Sequence, residues 1–82
     1  MKTDEFEQLI QSAGLAVLSS WTSYFVVALQ VPTGRGTHIE SERMEYQPSE
    51  FAMLCRERAQ AQIEVARKRL SEAAMAKLGV RV

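Results

Sequence analysis

The residues able to do chemistry are few: one His (His38), one Cys (Cys55) and one Asp (Asp4) in 82 residues. That supply is too thin for a Ser-His-Asp triad or a Cys/His zinc site within one chain. The best local constellation is His38-Ile39-Glu40-Ser41-Glu42. Strand alternation would set His38, Glu40 and Glu42 on one face, a donor set suited to a divalent ion. The same segment reads more simply as a solvated edge strand, so no metal or other cofactor is expected. His-x-Glu also begins the zinc-deaminase signature, but its Pro-Cys-x-x-Cys half is missing, because Pro48 is followed by Ser49. The chain is not expected to be an enzyme.

Two further features carry charge or a nucleophile. Thr33-Gly34-Arg35-Gly36 lacks the Gly-x-x-x-x-Gly-Lys spacing of a nucleotide loop and reads as a hairpin tip that presents Arg35. Cys55 falls on the apolar stripe of a long helix and is expected to be a buried structural thiol. That helix is basic, with Arg56, Arg58, Arg67, Lys68, Arg69 and Lys77, followed by Arg81. Glu57, Glu64 and Glu72 interleave with them, and Glu64 to Lys68 is a favourable i, i+4 pair. The pattern describes a solvated helix whose Arg stems cover the rim of a core. A phosphate-binding reading would instead use Arg56, Arg67, Lys68 and Arg69.

Ten basic residues balance ten acidic ones, for a net charge of zero. Neutrality disfavours a protein that works mainly as a polycation on nucleic acid. The charge is uneven, however: up to Leu54 there are three basic and seven acidic residues, and beyond it seven basic and three acidic. At 46% hydrophobic and 24% charged, the chain has the composition of one folded domain, residues 1–82. A single Cys excludes an intramolecular disulfide framework. No apolar run directly follows a positive cluster at the start, so a secretory signal is not expected and the protein is read as cytoplasmic. No charge occurs between Glu7 and Arg35, which leaves a single membrane span over residues 8–34 as an alternative. The polar run Ser19-Ser20-Trp21-Thr22-Ser23 argues against it.

The elements that must position these residues follow from periodicity. Thr3 as a cap, Asp4 and Glu5 in a first turn, and Phe6, Leu9, Ile10, Ala13 and Val17 at helical spacing predict a helix over about 4–18. Gly14 is its weak point, either inside the helix or ending it. Alternation predicts a strand over about 21–31, with Trp21, Phe25, Val27, Leu29 and Val31 toward the core and a mildly apolar, partly covered opposite face. A charged second strand is expected over about 37–46. Pro48 and Ser49 then open a helix over about 49–78, ended by Gly79. Its stripe is Cys55, Ala59, Ile63, Ala66, Leu70, Ala73 and Ala74, with Leu54, Ala61, Val65 and Met75 toward the back.

The expected fold is therefore a small α+β domain of order α-β-β-α, an antiparallel hairpin packed on a long C-terminal helix. A two-stranded sheet needs cover, so a homodimer is expected to complete it through edge strands or antiparallel C-terminal helices. Strands between two helices invite comparison with double-stranded RNA-binding domains. Those have three strands and a basic start to the last helix, and the expected acidic start at Ser49-Glu50 separates this chain from them. The functional expectation is a non-enzymatic module that binds another protein as a regulator, adaptor or inhibitor, of the kind used as accessory factors by bacteria and phages to inhibit host machinery. Its contacts would be the charged hairpin (Arg35, His38, Glu40, Glu42) or the basic helix (Arg56, Arg67, Lys68, Arg69). Nucleic-acid binding through that helix is the alternative.

Overall fold

The computed structural model describes residues 1–79, so Arg81 lies outside the described residues. Helix α1 covers Thr3–Ser12, with Lys2 rather than Thr3 in the capping position. It ends six residues earlier than its periodicity predicts. Gly14, with φ of 84°, takes a left-handed conformation that costs a glycine no steric penalty, and the chain turns there. The chain beyond forms a strand absent from the expected order, β1 (Ala16–Trp21), which takes Ala16 to Leu18 from the end of the expected helix and Trp21 from the start of the expected strand.

Strands β2 (Tyr24–Thr33) and β3 (Gly36–Glu45) follow, and the three make an antiparallel meander in the order β1-β2-β3. Trp21 pairs with Tyr24 across a two-residue turn in which Ser23 has φ of 64°. The uncharged stretch is thus the end of α1 plus two strands, and no helix among the described residues is long and apolar enough to cross a membrane.

The predicted C-terminal helix is two helices, α2 (Pro48–Ala52) and α3 (Arg56–Leu78). Pro48 fits the first turn of α2, where its missing N–H costs nothing, and Gln47 rather than Ser49 stands at the cap. The break between them has a geometric cause. On one continuous helix, Phe51 would sit roughly 100° away from the centre of the Ala59-Ile63-Ala66-Leu70 stripe. The interruption at Met53–Cys55 rephases the chain and lets Phe51 enter the core beside Phe6 and Phe25. Leu54 follows it and packs on the core instead of facing outward. Cys55 caps α3 and is exposed, so the expectation of a buried thiol is overturned. Gly79 closes α3 in a left-handed cap, as its position predicts.

Both long helices cover the same face of the sheet. Phe6, Leu9 and Ile10 of α1 and Ala59, Ile63, Ala66 and Leu70 of α3 share one core with Phe25, Val27 and Met44. Close packing of α3 follows from its alanines, because a small side chain lets the helix axis approach the strands. The fold is a two-layer α+β domain with a third strand that the sequence reading lacked. That strand removes the argument that a two-stranded sheet needs a dimer to be covered.

Candidate functional site

The register sorts β2 and β3 into two faces. Phe25 pairs with Met44, Val27 with Glu42, Leu29 with Glu40 and Val31 with His38, all toward the helices. His38, Glu40 and Glu42 therefore share a strand face, as alternation predicts. That face looks inward, and its carboxylates are taken up by α3. Glu40 is only 6% exposed. It accepts hydrogen bonds from His38 Nε2 at 2.8 Å and from Lys77 Nζ at 3.1 Å on its other oxygen. Lys77 and then His38 hold its carboxyl below the ordinary 4.5, against the desolvation that would raise it.

Glu42 receives a forked pair from Arg69, whose Nη2 stands 2.7 Å from Oε2 and whose Nε is 3.3 Å from Oε1. Glu42 in turn raises the pKa of that guanidinium, mainly through this bond. Tyr46 donates its hydroxyl hydrogen to Gln62, and its burial pushes the phenol pKa up. Tyr46–Gln62, Glu42–Arg69 and Glu40–Lys77 form a polar ladder that closes the side of the core. No group of three or more potential metal donors comes together among the described residues.

The remaining residues singled out in the sequence are dispersed. Arg35 stands exposed at the β2–β3 tip, where its N–H donates to Thr33 Oγ1 at 3.2 Å. On α3, Arg56 and Arg67 lie along one flank while Arg69 lies on the other, toward β3. Lys68 is exposed on the ridge between those flanks. Arg67 reaches Glu64 at 3.6 Å, one turn back. Three of the six cations of α3 (Arg67, Arg69, Lys77) thus face carboxylates of this chain.

No described helix packs on the opposite face of the sheet, yet it is partly covered as expected: Ala28, paired with Ala16 and Ser41, is fully buried, and Tyr24 and Val26 are half-buried. Trp21, expected in the core, is 69% exposed. It pairs with Tyr24 on this face, and Val26, one step along β2, pairs with Arg43. The register thus sets an indole, a phenol and a guanidinium on neighbouring positions of this face, with Ile39 half exposed farther along β3. Sequence reasoning missed this group because it assigned Trp21 to the same strand as Phe25. The available signal was the polar Thr22-Ser23 pair, which a hairpin turn uses.

Comparison with known proteins finds no matching family model, no matching curated protein and no matching solved structure. The third strand removes one expected difference from double-stranded RNA-binding domains. The last helix opens on Arg56-Glu57-Arg58, a mixed start and not a uniformly basic one.

Proposed function

We propose that this chain is a non-enzymatic interaction module that binds another protein as a regulator, adaptor or inhibitor, and that its docking surface is the open face of the sheet around Trp21. One observation carries the reading: a Trp left 69% exposed at the end of β1, on the sheet face that also carries Tyr24 of β2 and Arg43 of β3. Trp, Tyr and Arg are the side chains most enriched where binding energy concentrates, and Trp is otherwise among the more buried residues. The face carries Arg43 and Glu45 in balance, so apolar contact and not net charge would drive binding. The partner would offer an apolar pocket for the indole with polar groups at its rim.

Support for a protein over a nucleic acid comes from the cations. Phosphate recognition needs free Lys and Arg, and half of those on α3 face carboxylates within the chain. The charged hairpin is likewise a weaker contact surface than the sequence suggests, since Glu40 and Glu42 are spent on Lys77 and Arg69. Affinity capture with Trp21→Ala, Tyr24→Ala and Arg35→Ala variants tests the reading. The captured partner should be lost with the first two and kept with the third. Loss with Arg35→Ala alone would move the site to the hairpin tip, and a salt-sensitive shift with oligonucleotides would overturn the protein-binding reading.

A further inference from the structure

The two edges of the sheet differ. β1 is broken by a bulge between Val17 and Ser19, which twists an edge away from partners. β3 pairs with β2 over ten residues without an irregularity and keeps its other edge open. The N–H of Tyr46 donates to Ser23 O at 2.8 Å, so even-numbered positions of β3 turn toward β2. By the antiparallel alternation, the N–H and C=O groups of Arg43 and Glu45 then turn outward to the open edge. An open cleft of about 660 Å³ runs along it, floored by Met44, Tyr46, Ala61 and Val65.

Charges beside this edge are poorly answered within the chain. Arg43 and Glu45 are 69% and 59% exposed and meet at only 3.9 Å. Arg58 and Glu72 have no ion-pair partner among the described residues. A second copy placed antiparallel along β3, with a two-fold axis beside Met44, sets Arg43 opposite the partner's Glu45 and the reverse. Those two positions have the free backbone groups, so each such pair also exchanges two hydrogen bonds.

The helix arrives at the same axis independently. Gln62 stands over Tyr46 and Arg69 over Glu42, which places Val65 close to Met44 along the strand. Around Val65, the two-fold sets Arg58 opposite the partner's Glu72 and Val65, itself half exposed, against its own copy. Because α3 packs on both β3 and β2, pairing two β3 edges would bring the two α3 helices alongside each other.

We propose that the C-terminal end of the β3 edge, Arg43 to Glu45, and the adjoining flank of α3 form one contact surface for a second copy of this chain, joined by a short β3–β3 ladder and paired α3 helices. The surface meets the Trp21 face along its rim, where Arg43 and Glu45 belong to both, and leaves Trp21 itself outside the contact. The two-fold leaves both Trp21 faces open on the same side of the sheet.

Sedimentation velocity at low and high micromolar concentration tests the proposal. The wild type should be a dimer. Arg43→Glu, which opposes Glu45 of the other copy, should weaken it by roughly tenfold or more. The swapped double variant Arg43→Glu/Glu45→Arg should restore it, since each reciprocal pair is rebuilt with its signs exchanged. Unchanged circular dichroism checks the fold of these exposed variants, and Trp21→Ala should leave the dimer intact. A monomeric wild type overturns the proposal, as does a dimer indifferent to Arg43→Glu or a double variant as weak as the single one.

Discussion

One face of the sheet buries a carboxylate while the other exposes an indole. Glu40, inward, is 6% exposed and Trp21, outward, is 69% exposed. Polarity alone would place them the other way round. The inward carboxylate is tolerated because Lys77 and His38 answer both of its oxygens, so its desolvation is offset. The outward indole persists because both helices have their apolar stripes on the same side, which leaves no helix over the end of the sheet where Trp21 stands. Burial here reports where the helices pack, and an exposed Trp then marks a surface that stability does not explain.

Truncation on the two faces should have opposite consequences. Phe25→Ala on the inner face removes a fully buried ring packed on Phe6 and Phe51 and should destabilise the fold by about 3–5 kcal/mol in urea unfolding. A loss below roughly 1 kcal/mol would mean that the inner face is not the core.

The Glu40 clamp sharpens the comparison through pH. Its folded carboxyl titrates below the ordinary 4.5, so its contribution is complete above that pH and is lost as pH falls through the folded value. Thermal midpoints followed from about pH 6 to pH 3 should therefore fall less steeply for Glu40→Gln than for the wild type. Equal slopes would show that the clamp adds nothing to the native state.

Smaller effects are expected where no packing is lost. Gly14→Ala places a Cβ in open space, so its cost is the backbone conformation alone, about 1 kcal/mol by chemical denaturation. Trp21→Ala should change stability least, by within about 0.5 kcal/mol, while abolishing partner capture. A stability loss of roughly 2 kcal/mol there would place the indole in the core and break the contrast between the faces.

Legibility in the sequence varied with the kind of signal. The parity of β2 was readable, since Phe25, Val27, Leu29 and Val31 do share the inner face. Strand β1 was not, because Leu15, Ala16, Val17 and Leu18 satisfy a helical period as well as a strand, and only the turn at Gly14 separates the two. The division of α2 from α3 had no local mark, as no Gly or Pro lies between Phe51 and Leu78.

The candidate site was legible in part. The common face of His38, Glu40 and Glu42 follows from alternation, but that it turns toward Lys77 and Arg69 does not. The Trp21–Tyr24–Arg43 group joins residues from three strands and has no sequence spacing to betray it.

What local chemistry dictates is therefore the class and ends of the main elements: an acidic first turn at Asp4 and Glu5, a left-handed Gly79 after α3, and a charged β3 suited to an edge. These depend on neighbours a few residues away. The long-range contacts settle the rest: that Phe51 breaks a helix to reach Phe6 and Phe25, that both helices share one side of the sheet, and that Trp21 consequently faces out. Such choices compare the burial of distant apolar groups, and no short window of sequence contains both members of the comparison.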